Sequence, residues 1–327
     1  MVLGQGFDFI SIEPIANTSF RALSVVDNRI IWASGSKGTV ARSTDSGRTW
    51  EIIAVPGFES ADFRSLYAFS VNVALIGNAG SPANILRTED GGKSWKSVYT
   101  NTHKDSFFDG IDFWNNNDGL IYGDPIEGKM LLLRTSDGGI TWRDLSGSPT
   151  LEQGEASFAA SGTGIRCTGK NDVIVCTGGI RSRLWKSSDK GESWKALNPP
   201  VAQGKPSTGI FSFAIRGNHL IVVGGDFQND LLISGNHFYS LDLGQNWLAP
   251  KVPVRGYREC VEFLNEKTII SLGPSGVDIS TDGGLVWSMF SDEKELHVIR
   301  KVQDGASMIA AGGGGKVVLI RIARSPK

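Results

Sequence analysis

Three arginines and four acids in this 327-residue chain have the types needed to share one ligand. Arg21, Arg64 and Arg258 carry guanidinium forks, which suit a carboxylate or phosphate because two parallel N–H···O bonds form at once. Asp109, Asp124, Glu155 and Asp226 could bind sugar hydroxyls or basic side chains, or serve as general acid and base. The plain alternative is mutual salt-bridging that fills a polar channel mouth. These residues are scattered along the chain, so a fold must gather them, and a repeated turn points to that fold.

The turn reads Ser/Thr-x-Asp-x-Gly-x-x-Trp and recurs six times. Its aspartates are Asp45, Asp90, Asp137, Asp189, Asp242 and Asp282; its tryptophans are Trp50, Trp95, Trp142, Trp194, Trp247 and Trp287. Asn246 and Val286 replace the hydroxyl residue before Trp in the last two copies. Successive aspartates lie 45, 47, 52, 53 and 40 residues apart. Turn-rich, strand-like units of roughly 40–50 residues are the signature of a β-propeller. The Asp carboxylate accepts amide N–H groups of its own loop, Gly supplies the positive φ, and Trp enters the next strand. Full burial of each ring would contribute up to about 5 kcal/mol.

Each unit reads as four strands, the first as Phe20–Val25, 30–33, Thr39–Ser43 and 50–55. The fourth unit starts near Glu155 and carries an insertion at 161–164; the fifth starts near Ile210 and the sixth near Tyr257. The seventh has three strands and no box, while Phe7–Ile12 has no local partner. The expectation is therefore an all-β, seven-bladed β-propeller of four-stranded antiparallel blades forming one domain over residues 1–327. Its last blade is shared by residues 291–327 and 1–15, so that the N-terminal strand closes the ring.

Net charge is −1, with 33 basic and 34 acidic residues, which gives no basic footprint for nucleic acid. No apolar run approaches the ~20 residues of a membrane span. Cys167 and Cys176 flank an Asn171-Asp172 turn that would set them opposite each other, open to a cross-strand disulfide or to two buried thiols. Met1–Gln5 is not a signal peptide but fits the stub of one; the expectation is a periplasmic or secreted protein rather than a cytoplasmic one. His103, His219, His237 and His297 are too scattered for a metal cluster, and Gly312–Lys316 lacks the following Ser/Thr of a phosphate loop. Neither cofactor nor metal is expected, and the chain is expected to be a monomer.

The six turns resemble Asp-boxes, the bacterial neuraminidase repeat found in sialidases, sortilin-type receptors and the photosystem II stability/assembly factor family. Resemblance to sialidases implies three arginines for a substrate carboxylate, a Tyr paired with Glu, and an Asp. However, the Arg-Ile-Pro motif is replaced here by Arg21-Ala22-Leu23. Resemblance to the assembly factors implies a single seven-bladed propeller of about this size, and is carried by Phe20-Arg21, Asp62-Phe63-Arg64 and Thr39-Val40-Ala41-Arg42 before the first box.

In a propeller the starts of the first strands and the loops between strands two and three share one face, and the boxes occupy the other. Aligned first strands begin Phe20-Arg21, Phe63-Arg64, Phe108-Asp109, Glu155-Ala156, Ile210-Phe211, Tyr257-Arg258 and Leu296-His297. The loops Gly123-Asp124-Pro125 and Gly224-Gly225-Asp226 join them. The expected function is non-catalytic: a binding or assembly-factor-like propeller that holds a protein or small anionic partner at this mouth. The alternative is a glycoside hydrolase or lyase acting on a glycan, with Asp109, Glu155, Asp124 or Asp226 as its acids.

Overall fold

The six box aspartates satisfy their own loops. In the third box the Asp137 Oδ1 accepts the amides of Ile140 and Thr141 at 3.0 and 2.9 Å and the Thr135 hydroxyl at 2.8 Å, while its Oδ2 accepts the Thr141 hydroxyl at 2.6 Å. Gly139 sits at φ 82, and a Cβ there would lie 2.4 Å from a Leu75 methyl of the preceding blade. Glycine is thus required both for the turn and for the blade-to-blade contact. In every box one tip amide also donates to a carbonyl in the hairpin between strands one and two of its own blade, as Ser46 does to Arg29 and Gly138 to Asn117. The boxes therefore share a face with those hairpins.

The structure, a computed structural model, describes residues 6–323. It contains seven antiparallel sheets. The first strands of the blades are Phe20–Val25, Asp62–Ala68, Phe108–Phe113, Ile165–Thr168, Thr208–Arg216, Cys260–Phe263 and Leu296–Lys301. The seventh blade is completed by Ser307–Gly312, Val317–Ile322 and the N-terminal strand Phe7–Ile12, in antiparallel register from Phe7↔Ile322 to Ile12↔Val317. Phe7 and Phe9 pack edge-on against Phe290 of the sixth blade with ring centroids at 5.8 and 5.7 Å. They supply aromatic bulk where this blade lacks a box tryptophan. The blades are joined by interblade apolar layers, such as Leu75 and Ile85 of blade two with Ile121 and Leu133 of blade three.

Four expectations need correction. Blade four starts at Ile165; Glu155-Ala156 instead pairs with Gly178-Gly179, which in turn touches the first strand of blade five at Gly209. The fourth strand of blade five shrinks to one bridge, Tyr239↔Leu248. Cys167 faces Val173 across its hairpin rather than Cys176, and both thiols are free. The tryptophans also bury less than full burial assumes: only Trp287 is buried among the six, and the most deeply buried indole is Trp32, outside the boxes.

Box strength should follow the hydrogen-bond count. Asp282 keeps two amide donors but no hydroxyl reaches its Oδ2, because Val286 stands there. We expect Asp137→Ala to lower stability by about 1–2 kcal/mol and Asp282→Ala by clearly less. Urea unfolding midpoints measure this, and equal losses would refute the assignment.

Candidate functional site: a bulged ring around a closed axis

A β-bulge marks the start of the first strand in five blades. The register shifts between Phe20 and Ala22, Phe63 and Ser65, Phe108 and Gly110, Ile210 and Ser212, and Leu296 and Val298. The extra residue is Arg21, Arg64, Asp109, Phe211 or His297. A bulge bends the strand and re-aims the side chain of its extra residue, here around the axis on the face away from the boxes. The sequence alignment placed these five correctly.

It slipped by one residue in blade six. Cys260 pairs with Leu272, and Glu259 donates its amide to the same Leu272 carbonyl. Glu259 therefore holds the position of Arg21, and Arg258 holds the buried position of Phe20. A one-residue slip moves a side chain to the other face. Arg258 is accordingly fully buried within its blade, where its Nε and Nη2 donate to Asp278 Oδ2 at 2.9 and 2.5 Å. It does not reach the mouth with Arg21 and Arg64. Glu259 was missed for want of a sequence marker for the slip. It receives Arg21 Nη1 at 3.3 Å, lies 2.6 Å from His297 Nδ1, and accepts the Tyr257 hydroxyl at 3.4 Å.

The insertion of blade four fills the axis. From Phe158 to Gly164 the chain touches all six other blades. Its carbonyls at Ala160, Ala159 and Gly162 accept Arg21, Arg64 and Arg300 at 3.3, 3.4 and 3.5 Å. Ser161 donates its hydroxyl to the Glu259 carbonyl at 2.8 Å, and the Thr163 hydroxyl donates to Ser212 Oγ at 2.6 Å. Gly164 must be glycine, since a Cβ would lie 2.0 Å from the Tyr122 hydroxyl oxygen. Deeper in the channel Glu262 meets Arg166 at 3.1 Å and Arg300 at 3.8 Å. Asp112 accepts the Cys167 amide at 2.8 Å; burial pushes its carboxyl up and Arg166 opposes that.

The remaining acids fall into two groups. Glu155 is locked: Arg183 binds both its oxygens, Thr177 donates to it at 2.6 Å and Trp185 at 3.3 Å. Burial pushes its carboxyl up, but the Arg183 and Thr177 bonds outweigh it and hold the acid below its ordinary range. Asp226 is held low by the Ser207 hydroxyl, the Gln228 amide and Lys205. Asp109 and Asp124 differ. Asp109 is 1% exposed and neither oxygen has a hydrogen-bond partner. Burial and then Asp124 push it well above the carboxylate range, with Arg64 acting the other way. Among the described residues Asp124 accepts only the Ser157 amide, at 3.0 Å, and burial pushes it up to about 6.

Beside the plug lies an aromatic cluster. Phe158 stacks on Phe211 with centroids 4.0 Å apart, and Phe227 meets both edge-on. Phe227 is 48% exposed, and the loop it opens carries Leu231 at 71% and Ile233 at 54%. Asp124 connects to this cluster through Ser157, the neighbour of Phe158. A separate groove of about 660 Å³ lies on the box face at the ring seam, between Arg48 and Asn28 of blade one and Asp304 and Arg321 of blade seven, away from the bulged ring.

Six boxes, seven blades and a ring closed by its first and last strands define an Asp-box β-propeller, here with its axis filled. The comparisons place it beside a particular family. The family model for photosynthesis system II assembly factor YCF48 matches residues 72–204. Among solved structures, the chain is similar to YCF48 bound to D1 peptide, at 17% identity over 97% of each chain with a TM-score of 0.69. It is similar to YCF48 from Cyanidioschyzon merolae at 16% identity, over 96% of this chain and 98% of that one, with a TM-score of 0.66. It also resembles the GH74 xyloglucanase from Xanthomonas campestris at 12% identity, over 96% of this chain and 53% of that one, with a TM-score of 0.68. The curated proteins include no match. No helix among the described residues is long and apolar enough to cross a membrane, and no group of three or more His, Cys, Asp or Glu is placed to hold a metal.

The two kinds of carboxylate give stability two pH limbs of opposite sign. Asp90, Asp189 and Asp242 are pushed down to about 2 by bonds within their boxes. Their contribution is present above the unfolded value near 4 and is lost as pH falls through about 2. Asp124, raised to about 6, contributes most below about 4, and that contribution is lost as pH rises through 6. In metal-free buffer, wild-type stability should fall from pH 4 to 7, with about 2 kcal/mol of the fall due to Asp124. Asp124→Asn should flatten this limb and leave the acid limb intact; chemical denaturation at each pH measures both.

Proposed function

We propose that this propeller is a non-catalytic binding scaffold of assembly-factor type, docking a protein partner on the face opposite the boxes. The observation that carries the reading is the exposed apolar loop from Phe227 to Ile233 beside the Phe158–Phe211 stack. Apolar side chains clustered at one mouth of a soluble fold mark an interaction surface. Similarity to a YCF48 structure that contains a bound peptide supports the same class of partner. The arginines do not form an open anion cup: Arg21 and Arg64 are already engaged by Glu259, Asp62 and plug carbonyls. A polypeptide is therefore favoured over a small anion.

The glycosidase alternative is weaker for a stated reason. Two acids must flank a sugar across an open cleft. Glu155 is clamped by Arg183, Asp226 is held by its own loop, and Asp109 is too deep for a sugar to reach. The Tyr257–Glu259 contact brings together the residue types of the sialidase pair, but burial, with Glu259 next, drives the phenol well above its ordinary range and away from nucleophilic use.

The test pairs a binding assay with an activity screen. The triple variant Phe227→Ser, Leu231→Ser, Ile233→Ser should lose at least about ten-fold in partner retention from a lysate of the native host, with an unchanged melting temperature. The box-face variant Ile140→Ser should retain the partner. Equal retention by both variants would sink the proposal, as would glycan turnover that disappears in Asp124→Ala or Glu155→Ala.

A further inference from the structure

Four oxygen-bearing side chains meet between blades three and four with their hydrogen-bonding capacity unused. Asp109, the bulged residue of blade three, has two unpartnered carboxylate oxygens and is 1% exposed. Asp124, at the bulge between Gly123 and Pro125 in the second strand of the same blade, accepts the Ser157 amide on Oδ1, and no protein donor among the described residues reaches its Oδ2. The Ser157 hydroxyl is without a partner although the residue is 95% buried, and its amide bond ties it directly to Asp124. Tyr122, fully buried one strand away, carries a hydroxyl that meets only the weakly bonding Cys176 thiol and feels the charge of both aspartates.

Buried polar atoms are nearly always paired with protein, water or an ion. Here, among the described residues, three of four carboxylate oxygens and two hydroxyls lack a protein hydrogen-bond partner. Among the described residues neither aspartate forms an ion pair, and the Arg64 guanidinium, whose charge acts on Asp109, is held by Asp62 at 2.7 Å. Without a cation, Asp109 must hold a proton to avoid two like charges side by side in a poorly solvated space, and its oxygens still lack partners. A bound cation removes that repulsion and uses the orphaned oxygens together.

We propose that Asp109, Asp124, Ser157 and Tyr122 form a binding site for a hard metal cation of the Ca²⁺ class. The donor set decides the class: it is all oxygen, with two carboxylates and neutral hydroxyls, and Asp124 reaches toward solvent where waters complete the shell. Sulfur or imidazole ligands, which select zinc or copper, are missing apart from the Cys176 thiol, which is pushed up to about 12 by burial and then by Asp109. Two carboxylates place the site among the weaker calcium sites, with Kd on the order of 10⁻⁴ M or above. The cation would pin the plug, since Ser157 begins the segment that crosses the axis.

The test uses the full chain, stripped with a chelator and dialysed. Addition of 10 mM CaCl₂ should raise the melting temperature by at least about 2 °C over a NaCl control of equal ionic strength. Terbium ion, a luminescent calcium surrogate, should give emission sensitised through Tyr122. Asp124→Asn and Asp109→Asn should each lose the calcium shift, and Tyr122→Phe should cut the terbium signal at least two-fold while keeping the fold. MgCl₂ serves as the comparison arm, with a smaller shift expected because Mg²⁺ demands stricter geometry. If Asp109→Asn fails to fold, the exposed-side variant Asp124→Asn and the terbium titration of wild type still decide the matter. Absence of both a calcium shift and terbium emission overturns the proposal, as does a calcium shift of equal size in Asp124→Asn.

Discussion

The axis of a seven-bladed ring is a narrow, water-poor space into which every first strand aims a side chain. In five blades a bulge near the start of that strand makes this unavoidable: Arg21, Arg64, Asp109, Phe211 and His297 are all swung around it. A buried polar group left without a partner costs about 1–3 kcal/mol, and a charged one more. Three axial arginines alone would therefore threaten much of the 5–15 kcal/mol by which a domain is stable. The chain meets that constraint with the plug. Its carbonyls take up guanidinium donors from blades one, two and seven, its hydroxyls tie blades five and six, and Phe158 stacks on the one apolar ring residue, Phe211. The filled axis follows from electrostatics, and it moves any partner from the channel onto the rim.

What was legible in the sequence was local. An Asp-box satisfies its own aspartate within eight residues, so its pattern survives wherever the turn does, and six copies gave the blade period. The unpaired N-terminal strand and the three-stranded last unit gave the closure, because a propeller cannot leave an edge open. The arginine and acid ring was legible where the first strand begins with a regular aromatic or aliphatic residue. Blade six broke that reading, since Arg258 occupies the slot that Phe20 fills in blade one, and an arginine in a buried slot is intelligible only with Asp278 beside it. The plug was visible as extra length but not as an axial segment, because its partners come from blades up to about a hundred and forty positions away. Cys167 and Cys176 misled for a simpler reason: the hairpin turns earlier than their pairing requires, so Cys167 meets Val173, three residues short of Cys176.

The two faces are under different demands. On the box face, each turn binds its own hairpin and presses a glycine onto the neighbouring blade, so the requirements are steric and repeat six times. On the opposite face no two blades present the same loop. Blade two turns through Gly80–Pro82, blade three through Glu127-Gly128, blade five through the long apolar segment after Asp226, and blade seven through a short 3₁₀ turn at Gly313–Gly315. Chains at 12–17% identity share this ring, and a shared ring does not fix what its rim engages. For this chain the rim has its own character: tethered arginines, two untethered aspartates and an exposed Phe-Leu-Ile loop. A partner that buries Phe227, Leu231 and Ile233 would lie next to Asp124, so the state of that carboxylate – ionised, protonated or bound to a cation – sets the charge it meets on arrival.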